Sequence, residues 1–259
     1  MKNKLITIIL LSFNDTRISK ALASIRKFDD IDTVRIIVID GGSSKNILNL
    51  IVPFINECDL LISEKDQGIF DALNKGLDNC NSKFIGWLGS DDVFTSKISA
   101  SDVCKMLENN DLLIAGTIIV RDNKVKRVLH AFPSKFGLAK YGFNNPHFST
   151  FGRSLLLKSE RFPIDMVGAD IEYFLNIFDK NPVVVTTNTI STLMNDGGFS
   201  TQSYLKSLKV HFNLIKIYQK HTNFLMGIIT FFIKISYKFL EIFYYKITPS
   251  KDINNANFN

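Results

Sequence analysis

Two adjacent carboxylates, Asp91 and Asp92, directly follow the apolar run 84–88 and Gly89. Placing both at the end of a buried strand is costly, because each is desolvated and each repels the other. A divalent cation offsets that cost most simply, since Mg²⁺ and Mn²⁺ bind hard oxygen ligands such as carboxylates. Gly89 in front of the pair would let a ligand approach the backbone closely. The alternative is that the pair only caps a helix predicted over 96–108.

A second candidate site is the turn Asp40-Gly41-Gly42-Ser43-Ser44, which ends another apolar run. A carboxylate followed by a flexible turn can accept a hydrogen bond from a base or a ribose while the loop wraps around the ligand. The alternative is an ordinary turn between a strand and a helix, with Ser44 as the helix cap. The chain contains neither a Gly-x-Gly-x-x-Gly motif here nor a Gly-x-x-x-x-Gly-Lys-Ser/Thr motif anywhere, which excludes the Rossmann dinucleotide and P-loop classes.

A third group of polar side chains lies along one predicted helix. Asp71, Asn74, Lys75 and Asp78 recur at helical spacing, so they share one face of that helix. Lys75 on this face could pair with a phosphate group. The alternative is a solvated helix surface, which is where most such charges lie.

The segments that position these residues alternate between strand and helix patterns. Strands that are apolar on both faces and separated by helices indicate an α/β fold with a mostly parallel sheet covered on both sides. Ligands of such sheets bind outside the carboxyl ends of the strands, which is where both acidic turns lie. The predicted strands are 5–11, 34–39, 60–62 and 84–88, and the predicted helices are 18–28, 47–55 and 69–77.

Farther along the chain the pattern is less regular. The apolar runs in 112–129 predict a hairpin with its turn at 121–124. Residues 133–150 are rich in Gly, Pro, Asn and aromatic residues and are expected to form a loop or lid. A helical pattern over 169–178 and a β-branched run over 183–189 predict one more helix and one more strand.

The net charge of +6 lies entirely in the C-terminal segment. Residues 201–259 contain eight lysines against Glu241 and Asp252, whereas acidic and basic residues balance in 1–200. A catalytic part without excess positive charge argues against nucleic acid as a partner. The three cysteines form no Cys-x-x-Cys motif and no cluster with histidine, so they argue against a zinc site and fit a reducing compartment.

Residues 224–247 are strongly apolar and aromatic, with Lys234, Lys238 and Glu241 in a narrow polar stripe. Three charges near the middle argue against a transmembrane helix. An amphipathic helix in the plane of the membrane surface fits better, with its lysines facing anionic head groups. The alternative is a helix that packs on the domain or on a partner subunit. The chain is thus expected to contain an α/β domain (1–203), a C-terminal helical, membrane-associating segment (204–250) and a flexible tail (251–259).

Three motifs in this order resemble those of family 2 glycosyltransferases of the GT-A fold. They are Val-Ile-Asp-Gly-Gly-Ser at 38–43, Glu-Lys-Asp-x-Gly-Ile-Phe-Asp-Ala-x-Asn-Lys-Gly at 64–76, and Phe-Ile-x-Trp-Leu-x-Ser-Asp-Asp at 84–92. The likeness is closest to the branch found in bacterial exopolysaccharide, capsule and O-antigen clusters. That branch has Pro and Tyr in its second motif where this chain has Lys65 and Phe70.

The resemblance, which covers residues 4–200, implies roles for individual side chains. The positions that match the donor-binding residues of the family are Phe13, Asn14, Asp40, Asp66, Asn74, Lys75 and Asp91. Among them, Phe13 and Asn14 would line the nucleotide pocket and Asp40 would contact the base. Asp66, Asn74 and Lys75 would lie near the nucleotide and its diphosphate.

The same resemblance assigns the metal and the acceptor side. Asp91 and Asp92 occupy the Asp-x-Asp position of the family, with Ser90 in place of its first Asp and Asp92 as the direct metal ligand. Asp170 matches the general base, although a helix N-terminal carboxylate stabilised by the helix dipole is the alternative. His147 matches a residue that lines the acceptor side, with a structural histidine as the alternative.

The resemblance further implies inverting transfer of a sugar from a UDP- or GDP-sugar donor, with Mn²⁺ or Mg²⁺ as cofactor. The expected acceptor is a lipid-linked saccharide, because the basic, apolar residues 222–247 would hold a neutral catalytic part against the membrane. This predicts a role in capsule or lipopolysaccharide O-antigen synthesis on the inner face of the cytoplasmic membrane. The alternatives are transfer to polyprenyl phosphate itself or to a soluble acceptor, and a non-catalytic assembly partner.

Overall fold

The computed structural model describes residues 4–131, 147–166 and 168–196, together with single positions between 213 and 236. The strands in these ranges are β1 (Ile6–Ser12), β2 (Val34–Asp40), β3 (Leu60–Ser63), β4 (Phe84–Gly89), β5 (Val93–Phe94), β6 (Leu112–Arg121), β7 (Lys124–Leu129), β8 (Thr150–Arg153) and β9 (Val184–Asn195). These nine described strands form one sheet in the order β3-β2-β1-β4-β8-β6-β9-β5, with β7 paired to β6.

Helices cover both faces of this sheet. They are α1 (Ile18–Phe28), α2 (Lys45–Ile51), α3 (Ile69–Asn79), α4 (Ala100–Met106), α5 (Ser154–Leu157) and α6 (Ala169–Phe178), with 3-10 turns at Val52–Phe54 and His147–Ser149. Successive side chains of a strand point to opposite faces, so Ile8 and Leu10 of β1 pack with α1, α2 and α4, whereas Ile9 and Leu11 pack with α3 and α6. The continuous apolar runs of the sequence follow from this double burial.

The register of the central strands decides where the functional loops lie. β1 pairs in parallel with β2 on one side and with β4 on the other, and Ser12 lies opposite Asp40 while Leu11 lies opposite Gly89. All three strands therefore end side by side. The loops after them, which contain the residues singled out in the sequence, meet at one edge of the sheet.

The α/β class predicted from the sequence is confirmed, and the sheet is mixed. β3, β2, β1 and β4 are parallel, whereas β8 runs antiparallel to both β4 and β6. The helix predicted over 169–178 has those bounds, and the strand predicted over 183–189 extends to Asn195. The helix expected over 96–108 is limited to α4, with Ser99 as its cap, and the strands β5 and β8 were not predicted.

Part of the C-terminal prediction can be compared with the structure. The described positions between 213 and 236 are helical, and the segment predicted over 204–250 as a whole stays a prediction. Most of the predicted loop or lid, the proposed boundary at residue 203 and the tail 251–259 lie outside the described residues, so these remain predictions. Within the part of the chain that is described, no helix has both the length and the hydropathy to cross a membrane.

Candidate active site

The acidic pair lies in a tight turn directly after β4. The backbone N–H of Asp92 donates to the carbonyl of Gly89 at 3.2 Å, which turns the chain back at the end of the strand. Only 2% of Asp92 is exposed, whereas the Asp91 side chain is 26% exposed. A Cβ atom at position 89 would lie 2.8 Å from Asp92 Oδ2 and 3.1 Å from Asp91 Oδ1. The two carboxylates therefore converge on the space above Gly89, where any larger residue would displace them.

Burial makes the negative charge of this pair costly. Burial, together with the charge of Asp91, raises the pKa of Asp92 to about 8, although a hydrogen bond from the backbone N–H of Asn195 at 3.0 Å opposes the shift. Burial also raises the pKa of Asp91, and the positive charge of Arg17 opposes that shift. A divalent cation would remove this cost, because it attracts both carboxylates at once.

The side chains present suit a Mg²⁺ or Mn²⁺ ion that is shared with a ligand. One or two carboxylates are the usual protein contribution to such a site, and phosphate oxygens and water complete the coordination shell. Among the described residues, no group of three or more His, Cys, Asp or Glu side chains is arranged to hold a metal ion.

Arg17 and Asp15 join the acidic pair, although the sequence patterns singled out neither residue. Arg17 Nη2 lies 2.7 Å from Asp15 Oδ2 and 3.5 Å from Asp91 Oδ2. Ser90 Oγ donates to Asp15 Oδ2 at 3.2 Å, so the loop after β1 is tied to the turn after β4. The available sequence signal was a run of polar residues directly after a buried strand. Arg17 thus places a positive charge beside the acidic pair, where it can also attract an anionic ligand.

A second group of residues lies at the neighbouring strand ends and consists of Phe13, Gly41 and Asp66. The Phe13 side chain is prominently exposed, at 66%. A Cβ atom at position 41 would lie 2.9 Å from Asp66 Oδ2 and 3.2 Å from Phe13 Cδ2, so both side chains lie directly beside Gly41. An exposed aromatic ring beside a carboxylate can stack on a planar ligand and accept a hydrogen bond from its N–H group.

Asn14 and Asp40 hold the loops after β1 and β2 in shape. The Asn14 N–H donates to Ser43 Oγ at 2.7 Å, and its side-chain oxygen accepts from the Ser44 N–H at 3.1 Å. Asp40 is fully buried and accepts from the Ser43 N–H at 2.8 Å and from Ser63 Oγ at 2.7 Å. Burial alone would raise the pKa of Asp40, but these hydrogen bonds lower it. Its carboxylate supports the loop in this structure, and its contact with a base stays a prediction.

Lys75 and Asn74, on the predicted polar face of α3, contact different parts of the protein. Lys75 Nζ lies 2.8 Å from Glu64 Oε1 and 3.5 Å from Asp71 Oδ2, and the hydrogen bond with Glu64 raises the pKa of Lys75. The Asn74 amide donates to the Phe162 carbonyl at 2.8 Å and accepts from the Phe162 N–H at 3.0 Å. These contacts bring Asn74 into neither group of site residues. The roles of Lys75 and Asn74 at a diphosphate stay predictions.

Asp170 lies in the first turn of α6, which packs on β4 through aromatic side chains. Tyr173 meets Trp87 of β4 edge to face, with 6.2 Å between ring centroids, and stacks on Phe162 at 3.8 Å. This packing holds the first turn of α6, which contains Asp170, against β4, the strand that precedes the acidic pair. The position is compatible with a general base and with a carboxylate stabilised by the helix dipole. His147 opens the 3-10 turn before β8, and its side chain lies outside the described residues.

Comparisons with known proteins agree with this architecture. The likeness to the solved structure of Staphylococcus aureus TarS in complex with UDP-GlcNAc has a TM-score of 0.65 at 14% identity. It covers 82% of this chain and 65% of that one. At this level of identity the likeness establishes the fold, which is GT-A.

Curated relatives are glycosyltransferases that match over part of their length. A PGL/p-HBAD biosynthesis glycosyltransferase of Mycobacterium bovis is 26% identical over 96 residues, which cover 35% of this chain and 38% of that protein. WfgD of Escherichia coli is described as a UDP-Glc:α-D-GlcNAc-diphosphoundecaprenol β-1,3-glucosyltransferase. It is 28% identical over 128 residues, 48% of this chain and 50% of that protein. This chain therefore spans half or less of the length of both relatives.

The model of the family Glycosyl transferase family 2 matches residues 7–161. This range is more than half of the chain, and it contains the ends of β1, β2 and β4 together with the acidic pair. The chain therefore belongs to glycosyltransferase family 2.

Proposed function

We propose that the protein transfers a sugar from a nucleoside-diphospho-sugar to an acceptor hydroxyl group, with inversion at the anomeric carbon. The observation that carries this proposal is the convergence of the Asp91 and Asp92 carboxylates on the space above Gly89. A diphosphate bound together with a divalent cation complements two buried carboxylates both in charge and in oxygen ligands. Membership of family 2 supports the same reaction class.

The group of Phe13, Gly41 and Asp66 is assigned to the base of the donor. Stacking on the exposed Phe13 ring would cover one face of the base, and the absence of a side chain on Gly41 keeps the approach open. Asp66 would accept a hydrogen bond from the base. Uracil and guanine both carry a ring N–H, so the proposed donor is a UDP- or GDP-sugar. Asn14 and Asp40 would keep the surrounding loops in place.

The diphosphate is assigned to the turn after β4. Asp92 would be the direct ligand of Mn²⁺ or Mg²⁺, with Asp91 beside it, and the bound cation would stabilise the negative charge of the departing nucleoside diphosphate. Lys75 would exchange its contact with Glu64 for a phosphate oxygen, with Asn74 on the same helix. Arg17 would add a further positive charge near the leaving group.

Asp170 is assigned as the general base. Its carboxylate would take the proton of the acceptor hydroxyl while the hydroxyl oxygen attacks the anomeric carbon from the face opposite the leaving group. The new glycosidic bond forms as the bond to the nucleoside diphosphate breaks, and this single displacement inverts the configuration. His147 is assigned to the acceptor side of the site.

The proposed acceptor is a saccharide carried on a polyprenyl diphosphate, within capsule or O-antigen synthesis at the inner face of the cytoplasmic membrane. Leu225, Ile229 and Phe232 recur at helical spacing and are 65%, 39% and 62% exposed. An apolar row in the segment that carries the net positive charge suits an anionic membrane surface, with contact through residues 222–247. The acceptor named for WfgD supports the same lipid class.

A thermal-shift screen of nucleotides tests the donor assignment. We expect UDP or GDP to raise the melting temperature more in the presence of Mn²⁺ than in EDTA, because binding to the native state stabilises it. Asp92→Ala should abolish the Mn²⁺-dependent part of that shift, whereas Glu57→Gln, at an exposed carboxylate, should leave it unchanged. A wild-type protein that neither nucleotide stabilises with Mn²⁺ would contradict the proposal.

A further inference from the structure

A buried ionic cluster lies on α6, outside the site described above. Glu172 is only 7% exposed although it is a carboxylate. Its two oxygens are contacted by consecutive residues of the C-terminal segment: Lys220 Nζ pairs with Oε1, and His221 Nε2 lies 3.2 Å from Oε2. The other ring nitrogen of His221, Nδ1, lies 2.7 Å from Asp179 Oδ2. The His221 side chain, 2% exposed, is thus enclosed between two carboxylates.

These contacts span the length of α6. Glu172 belongs to its first turn, and Asp179 is the residue that follows its last one. Residues seven positions apart are separated by nearly two helical turns, about 10 Å along the axis, and lie on the same face. One imidazole therefore bridges the beginning and the end of the helix.

The hydrogen-bonding capacity of the imidazole and the two carboxylates sets the conditions for this bridge. Ionised carboxylates only accept hydrogen bonds, so both contacts of His221 are hydrogen bonds only when both of its ring nitrogens carry hydrogen. A buried carboxylate without a partner is strongly destabilising, and Glu172 gains both of its partners from the C-terminal segment. Ile217, one turn before His221, is buried in the same apolar cluster as Phe174 and Phe178. The attachment is therefore both ionic and apolar.

The bridge acts on the helix turn that contains Asp170. Asp170 and Glu172 are two residues apart, which places them about 200° apart around the helix axis. The C-terminal segment contacts Glu172 in this turn. Tyr173, the next residue along the chain, packs against Trp87 of β4. These contacts hold the turn that contains Asp170 in place. The reaction rate should depend on that position, because a misplacement of 1 Å can cost about 100-fold in rate.

We propose that His221 is a positioning residue, which fixes α6, and through it Asp170, by bridging Glu172 and Asp179. The proposal rests on the assignment of Asp170 as the general base under the proposed function. It gives the C-terminal segment a second role: the segment that meets the membrane also braces the helix that activates the acceptor.

Steady-state kinetics of full-length variants test the bridge. His221→Ala should lower kcat for transfer by about 10- to 100-fold, while the Kd of the nucleotide with Mn²⁺ changes less than about twofold. His221→Gln, whose amide nitrogen can still donate to one of the two carboxylates, should recover part of kcat. The matched control is Lys216→Gln, at an exposed lysine of the same segment, which should behave as wild type. A folded His221→Ala protein with wild-type kcat would overturn the proposal.

A second variant decides the matter if His221→Ala does not fold. Asp179 is 41% exposed, so Asp179→Ala should be tolerated while it releases one end of the bridge. We expect a lower kcat at unchanged nucleotide affinity, and an unchanged kcat would overturn the proposal.

Hydrogen exchange separates this proposal from the proposed function. If the wild-type protein transfers no sugar, the proposed function fails and the bridge remains measurable in the amides of 172–178. Faster exchange of these amides in Asp179→Ala than in Lys216→Gln supports the bridge, and equal exchange overturns it. If the wild-type protein is active and Asp170→Asn is not, a wild-type kcat in the folded His221 variants overturns the bridge alone.

Discussion

The backbone N–H of Asn195, the last residue of β9, donates a hydrogen bond of 3.0 Å to Oδ1 of Asp92, the buried carboxylate after β4. This bond links the end of β9 to the acidic turn after β4. It leaves Oδ2 of Asp92 directed at the space above Gly89, towards which Asp91 Oδ1 also points. One oxygen of Asp92 thus serves the fold and the other is directed at the proposed metal position.

The raised pKa of Asp92 predicts a stability cost in the metal-free protein. Its value of about 8 in the folded state lies above the 3.8 of an exposed aspartate, so the folded protein holds this proton more tightly than the unfolded chain does. Stability should therefore fall as the pH rises from about 4 to about 8. Asp92→Asn removes that charge and keeps an oxygen for Asn195, so it should melt at a higher temperature than wild type at pH 9 in EDTA.

Thermal unfolding at pH 6 and at pH 9 measures this effect. The wild-type melting temperature should drop more between these two pH values than that of Asp92→Asn. Addition of Mn²⁺ to the nucleotide should give extra stability only to the wild type. Glu57→Gln, at an exposed carboxylate, should retain the wild-type pH dependence. If the wild type and Asp92→Asn lost the same stability between pH 6 and pH 9, the charge of Asp92 would not be the source of the stability loss.

Removal of the Phe13 ring should weaken nucleotide binding. Stacking of a base on an aromatic side chain contributes about 1–3 kcal/mol, so Phe13→Ala should raise the Kd of UDP or GDP by about 5- to 150-fold. Phe13→Tyr keeps the ring and should bind as the wild type does. Ile31→Ala, at an exposed apolar residue before β2, controls for the loss of apolar surface at the other end of the sheet. Isothermal titration in Mn²⁺ gives each Kd, and equal values for Phe13→Ala and Ile31→Ala would refute the stacking role.

Much of the parallel half of the sheet could be predicted from the sequence, because strands buried on both faces leave long apolar runs. β1, β2, β4 and α6 lie where their patterns placed them. β8 could not be predicted, since its four residues follow a Gly- and Pro-rich stretch and its pairing with β4 and β6 is between distant parts of the chain. A local pattern contains no information on such partners.

The site shows a similar division between what spacing reveals and what only the fold reveals. Asp91 and Asp92 were identified because two carboxylates after a buried strand are chemically unusual. Arg17 was not identified, since an arginine near the start of a helix is an ordinary surface residue until β1 and β4 are placed side by side. Asn74 shows the converse case: its spacing on α3 matched the polar face, but its amide pairs with Phe162.

The apolar row of the C-terminal segment predicts binding to anionic vesicles. Replacement of Leu225, Ile229 and Phe232 by serine should lower the partition coefficient by at least about tenfold, because each side chain loses an apolar contact with the bilayer. The matched control replaces Val52, Leu155 and Val183, which are also exposed, by serine. Sedimentation with phosphatidylglycerol vesicles measures the partition, and equal loss in both triple variants would argue against a membrane role for this row.

The rate of sugar transfer by Asp170→Asn tests the central claim most directly. The measurement compares initial rates with the wild type at saturating nucleotide sugar and Mn²⁺, and Asp165→Asn, at an exposed carboxylate in the loop before α6, is the matched control. We expect Asp170→Asn to lose about 10²- to 10⁴-fold in rate while it binds the nucleotide as the wild type does, and Asp165→Asn to remain fully active. Transfer by Asp170→Asn at the wild-type rate would contradict the account.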